Sequence, residues 1–190
     1  MAEATAKAHT AADPRARLKQ IIAARCMRKG TFKLASGAVS NYYFDMKPAL
    51  LDPEGSHLVA KLMLDALKDE AADAVGGLAM GAVPIAASIC TLSELYGDKR
   101  IPAFFVRKEP KERGTEQLVE GNVKAGATAV VVEDVTTKGG SAMKAVAAVR
   151  AMGCTVNTVL TVLDRQEGAE ANLAKEGIRL VALFRREEFE

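Results

Sequence analysis

The chain has no tryptophan, only two histidines (His9 and His57), and three cysteines (Cys26, Cys90 and Cys154) with no CxxC pair among them. Two histidines leave little room for a Ser-His-Asp triad or a multi-histidine metal site. Wide cysteine spacing argues against a disulfide framework and a thiolate zinc site, and it fits a reducing, cytoplasmic setting. Charge of one sign is lacking too: 26 Lys and Arg against 24 Asp and Glu give a formal +2. A nucleic-acid binder usually carries a basic domain or face, so any anion site here must be local. The opening MAEATAKAHTAADPRAR has charges but no apolar h-region, so it reads as a tail and not as a secretory signal.

A long uncharged run is the one feature that raises a membrane question. Ala74 to Ser93, AVGGLAMGAVPIAASICTLS, is long enough to span, yet it contains Gly76, Gly77, Gly81 and Pro84. It reads better as a buried strand, a glycine turn and a helix beginning near Pro84.

With 190 residues, 49% of them hydrophobic, the chain can bury one substantial core. Leu18, Ile21, Ile22 and Met27 have the spacing of one helical face, which predicts a helix over Arg15–Lys29 stopped by Gly30. Leu58, Leu62, Leu64 and Leu67 predict a second helix from Pro53 to about Glu70, and a third runs from about Pro84 to Leu95. Short apolar runs begin near Asp73, Ile101, Thr128, Val156 and Arg179 and alternate with helices. The pattern predicts an α/β fold: a doubly wound, mostly parallel sheet with helices on both faces. Residues 1–13 are expected to form a disordered tail. Residues 14–190 then make a single domain, with a small N-terminal hood over about 14–52 and a core over about 53–190.

The chemistry concentrates in AVVVEDVTTKGGSAMKAV, Ala129–Val146. A valine strand ends at Glu133 and Asp134, where an open parallel sheet places its ligands. Val135, Thr136, Thr137 and Lys138 follow, and Gly139 and Gly140 let the backbone approach a ligand closely. A helix from about Ser141 points free N–H groups into the loop, as a phosphate cradle does. Acids that accept hydrogen bonds from neutral hydroxyls, next to a phosphate cradle, fit ribose 5-phosphate. The stretch matches neither the Walker nor the Rossmann glycine pattern. A bland reading of the acids as a strand-end pair fits a lone Glu-Asp but not the whole string.

VVVEDVTTKGGSA resembles the phosphoribosyl pyrophosphate (PRPP) signature of type I phosphoribosyltransferases, and Lys138 departs from the usual small residue or threonine. FKLASGAVSNYYFDMKPAL from Phe32, AFFVRKEPKERGTEQLVEG from Ala103 and VLDRQEGAE from Val162 resemble the orotate phosphoribosyltransferase family, in the family's order. The resemblance implies the type I phosphoribosyltransferase fold and transfer of phosphoribose from PRPP to orotate, giving orotidine 5′-monophosphate and pyrophosphate, a step of pyrimidine (UMP) biosynthesis. It implies Mg²⁺ held mainly by PRPP near Asp134, with no direct protein ligand set, and a homodimer with shared sites, without nucleic acid or membrane as partner.

Arg107, Lys108, Lys111 and Arg113 crowd cations beside Pro110 and Gly114. Taken alone this is a solvated charge run, since Glu109 and Glu112 are interspersed. The resemblance makes it a loop that closes over pyrophosphate, with Lys111 catalytic alongside Asp134 and with Arg113 where many members have histidine. By the same resemblance Arg165 and Thr137 contact orotate, and Tyr43 and Phe44 pack around the base. Without it, Arg165 would read as a surface ion pair with Glu167 or Glu170, and the aromatics as core. Lysines common in the family are missing at Ala35 and in the Met80–Gly81–Ala82 turn. Two other readings remain: a phosphoribosyltransferase for another base, and a non-catalytic PRPP-sensing regulator with the same fold.

Overall fold

In a computed structural model, residues 13–33, 39–109 and 117–189 are described. The elements in chain order are α1 (Pro14–Arg25), β1 (Met27–Lys33), β2 (Val39–Phe44), α2 (Lys47–Leu50), α3 (Pro53–Leu67), β3 (Ala74–Leu78) and α4 (Ala82–Tyr96). They continue with β4 (Ala103–Val106), β5 (Val119–Gly121), β6 (Ala129–Thr136), α5 (Gly140–Ala151), β7 (Thr158–Asp164), α6 (Ala169–Ala174) and β8 (Arg179–Arg185), then a 3-10 turn at Arg186–Phe189.

Two Asp-Pro pairs start the first long helices. The Asp13 carboxylate accepts from Arg15 N and Ala16 N with Pro14 opening α1, and the Asp52 carboxylate accepts from Gly55 N with Pro53 opening α3. In each case the acid satisfies N–H groups that have no helical partner, and proline is pre-set for the first turn.

Six strands form one sheet in the order β5-β4-β3-β6-β7-β8, parallel except for β5 at one edge. Both faces are covered, which is why β6 reads as continuous valine. Val130 and Val132 pack with Leu58, Met63, Ile85 and Ile89 of α3 and α4. Ala129 and Val131 pack with Ala145 and Val149 of α5 and Leu173 of α6. Each fully buried aliphatic side chain contributes about 1.5–3 kcal/mol, so the two layers together fix the sheet. The uncharged run Ala74–Ser93 divides into β3, a turn and α4, with Pro84 in the first helical turn, and no helix among the described residues is long and apolar enough to cross a membrane.

The expected helix over Arg15–Lys29 is corrected at its end. It stops at Arg25, and Met27–Lys33 is a strand paired antiparallel with β2, from Met27 opposite Phe44 to Lys33 opposite Val39. The Asp45 N–H donates to Cys26 O at 2.9 Å, closing the hairpin where helical bonding ends. Gly30 lies within a register irregularity between Lys29 and Phe32 and stops no helix. The hairpin docks near the carboxyl end of β8: the Phe44 ring lies 5.9 Å from that of Phe189, edge-on, and Phe189 lies 5.7 Å from Phe184.

Candidate active site

The chain leaves β3 through α4 to β4 on one side and returns to β6 on the other, so the carboxyl ends of β3 and β6 flank the point where strand order reverses. That is where open α/β sheets bind ligands. Glu133 and Asp134 lie near the carboxyl end of β6, which runs on to Thr136. Glu133 is 5% exposed and its Oε2 has no hydrogen-bond partner among the described residues. Burial, reinforced by the Asp134 charge, pushes its carboxyl up to about 9, so it is protonated at neutral pH. A buried polar atom without a partner is costly, and a ligand hydroxyl would relieve it.

Asp134 is half-buried and accepts from Val135 N at 2.8 Å. Opposite it stands the turn Ala79–Gly81, where the Ala79–Met80 peptide is cis and Met80 is 72% exposed. A Cβ at Gly81 would lie 2.7 Å from Asp134 Oδ1, so only glycine leaves the carboxylate in place.

The next loop is held from behind. Thr136 O accepts from Arg165 N at 2.9 Å, Thr137 O from Ala169 N at 3.1 Å, and Lys138 O from Asn172 Nδ2 at 3.0 Å. Gly139 takes a left-handed φ of +80° at the N-cap of α5, which no side chain caps. The first-turn N–H groups therefore face the loop with the positive end of the helix dipole behind them. Lys138, Gly140 and Ser141 are exposed, while Thr137 and Val135 are half-buried. Thr136 differs: it is 2% exposed, and its hydroxyl donates towards Leu163 O at 3.4 Å and Asp164 Oδ1 at 3.3 Å. Its side chain ties β6 to β7, leaving the loop's hydroxyls to Thr137 and Ser141.

Arg165 follows β7 and is 5% exposed, with Nη2 2.7 Å from Glu167 Oε1. The Glu167 pairing weighed from sequence is present, but on a buried guanidinium. Tyr43 is 40% exposed, its ring 5.5 Å from Phe32, whereas Phe44 lies in the core. Arg107, just past β4, reaches Glu120 of β5 at 3.2 Å, and Lys108 is exposed. Lys111 and Arg113, like Ala35, lie outside the described residues.

Sequence reasoning missed Lys47. It opens α2 with Nζ 2.6 Å from Asp45 Oδ1, and that hydrogen bond holds its ammonium above the ordinary lysine value. The only local signal was a lysine between a strand and Pro48. No group of three or more His, Cys, Asp or Glu able to hold a metal occurs among the described residues. The half-buried Asp134 carboxylate offers an oxygen compatible with a Mg²⁺ carried by a polyphosphate substrate.

The sequence and the fold match those of known proteins. Residues 49–182 match the model of the phosphoribosyl transferase domain. The chain is 50% identical over 179 residues to the orotate phosphoribosyltransferase of Bradyrhizobium sp. strain BTAi1, covering 92% of this chain and 96% of that protein. It is 44% identical over 174 residues to the Aquifex aeolicus enzyme of the same name, covering 90% and 94%. Among solved structures, Mycobacterium tuberculosis orotate phosphoribosyltransferase in complex with PRPP superposes with a TM-score of 0.77 at 34% identity, covering 93% of this chain and 99% of that one.

Proposed function

The chain belongs to the orotate phosphoribosyltransferases, and we propose that its strand-end site transfers the 5-phosphoribosyl group of PRPP to orotate, releasing orotidine 5′-monophosphate and pyrophosphate. The observation that carries this reading is the adjacency of buried Glu133 and half-buried Asp134 to the uncapped start of α5. Hydroxyl acceptors and a phosphate cradle a few residues apart match the two ends of ribose 5-phosphate.

In the reaction a bond forms between an orotate ring nitrogen and C1 of the ribose, the C1–O bond to pyrophosphate breaks, and the nitrogen's proton passes to solvent. No protein nucleophile takes part, so catalysis rests on positioning and on charge. The α5 amides, the Gly139 turn and the hydroxyls of Thr137 and Ser141 hold the 5-phosphate. Asp134 accepts from one ribose hydroxyl, and the neutral Glu133 carboxyl exchanges hydrogen bonds with the other. Arg165, steadied by Glu167, presents its planar fork to the orotate carboxylate. Tyr43 offers an exposed ring edge for the base. Lys111, with Arg107, Lys108 and Arg113, closes over the pyrophosphate. Mg²⁺ bound to PRPP near Asp134 would neutralise charge on the leaving group.

We place the enzyme in the cytoplasm, where its free Cys26, Cys90 and Cys154 would stay reduced, and as a homodimer. Leu95 and Tyr96 are 62% and 76% exposed beside a groove between α3 and α4, a surface suited to a second copy. Loss of orotate absorbance with PRPP and Mg²⁺, and its absence with adenine, uracil or hypoxanthine in place of orotate, tests the assignment.

A further inference from the structure

Three consecutive carbonyls of the loop after β6 are held by one segment of the chain. Thr136 O accepts from Arg165 N at 2.9 Å, Thr137 O from Ala169 N at 3.1 Å, and Lys138 O from Asn172 Nδ2 at 3.0 Å. The three peptides are trans, since the cis bond among the described residues is Ala79–Met80. In a planar trans peptide the carbonyl and the N–H of the next residue point in opposite directions. Carbonyls drawn back towards β7 and α6 therefore turn the N–H groups of Thr137, Lys138 and Gly139 the other way, into the loop. None of these three N–H groups meets a hydrogen-bond acceptor among the described residues. Successive N–H groups of this kind, continuing into the uncapped start of α5, make a nest for an anion.

The first two of the donors that hold the loop are backbone N–H groups, which almost any residue supplies. The third is a side chain, and it requires the residue at position 172 to carry a donor. α6 reads AEANLA, so asparagine is its one poor helix former among alanine, glutamate and leucine. The neighbours fix which way its amide points: Lys175 Nζ lies 3.4 Å from Oδ1, which leaves Nδ2 to donate to Lys138 O. The helix beneath it is firmly seated. Ala169 is 1% exposed and Leu173 is fully buried, packed with Ala145 and Val149 of α5. A Cβ on Gly139 would lie 3.6 Å from both Ala169 Cβ and Leu173 Cγ, so α6 also backs the turn itself.

We propose that Asn172 is a positioning residue for the 5-phosphate of PRPP: its side-chain amide, by holding the Lys138 carbonyl, keeps the Gly139 N–H turned into the phosphate nest. The proposal rests on the phosphoribosyl transfer assigned above. Asn172 touches no substrate and acts only through the peptide it orients.

The test uses the full chain with Asn172→Ala, which removes the donor, and Asn172→Asp, which keeps the shape and sets a carboxylate against the Lys138 carbonyl. Ribose 5-phosphate, pyrophosphate and orotate are titrated separately with Mg²⁺ present, and thermal melts check the fold. The expected result for Asn172→Ala is a ribose 5-phosphate Kd raised about 3- to 10-fold, the worth of one neutral hydrogen bond. Asn172→Asp should raise it about 10-fold or more, while the pyrophosphate and orotate Kd values stay within about twofold in both variants. A merely structural role for α6 would weaken all three ligands together, because Arg165 and the start of α6 belong to the same segment. Ribose 5-phosphate affinity within twofold of wild type in both variants would overturn the proposal, as would equal losses for the three ligands. Wild-type protein that binds ribose 5-phosphate but forms no orotidine 5′-monophosphate would instead sink the activity assignment itself.

Discussion

Gly81 and Asp134 are in such close contact that a β-carbon on residue 81 would stand 2.7 Å from the carboxylate Oδ1. The turn after β3 and the acid at the end of β6 are thus one unit, formed where the strand order reverses. Gly81→Ala should displace the carboxylate by some tenths of an ångström and more if the turn yields too. Misplaced groups of this kind cost about 100-fold in rate. We expect kcat/KM for PRPP to fall by about 10- to 100-fold with only a few degrees lost in Tm, as steady-state kinetics and thermal melts would show. Unchanged kinetics would mean that Asp134 need not stay in place.

Glu133 links stability to pH in a definite direction. Its carboxyl is pushed up to about 9 in the folded chain, from 4.5, chiefly by burial. Between those values the unfolded chain has released the proton and the folded chain keeps it, so this group's contribution to stability is lost as pH rises from about 4.5 towards 9. Glu133→Gln should therefore raise Tm at pH 8 and flatten the decline between pH 6 and 8.5, while weakening PRPP binding. Parallel declines in the two proteins would show that Glu133 ionises normally.

Arg165 is assigned to a planar, charged partner, and that assignment separates it from a mere ion-pair partner of Glu167. Arg165→Lys keeps the charge and loses the fork. KM for orotate should rise about 10- to 100-fold, in line with one charge-assisted contact, with KM for PRPP within about twofold. Equal effects on both substrates would point to a structural role.

The proposed sharing of sites between two subunits makes a prediction about mixtures. Lys111→Ala and Asp134→Asn should each lower turnover by about two to three decades with the fold intact, the usual effect of losing one preorganised charged contact. Heterodimers of Lys111→Ala and Arg165→Ala subunits should recover part of the activity that each homodimer lacks. Verified heterodimers with no recovery would place each loop over its own subunit's site.

What could be seen in the sequence beforehand follows from whether each signal is local. The Asp-Pro helix starts, the valine strand and the β6–α5 loop are contiguous strings whose chemistry can be read residue by residue. β1 was misread because MRKGTFK carries its pairing information in β2, and Gly30 resembled a stop. The three-residue β5, the four-residue α2 and the six-residue α6 are too short for a periodicity to register. The Gly81–Asp134 contact joins positions far apart in the chain, and only the folded sheet brings them together.

The most direct test of the account is to follow orotate absorbance after mixing purified protein with orotate, PRPP and Mg²⁺. The account predicts loss of the orotate signal with stoichiometric release of pyrophosphate, abolished by omitting PRPP and greatly slowed in Asp134→Asn. Well-folded protein that leaves orotate unchanged, or an Asp134→Asn variant as fast as wild type, would contradict it.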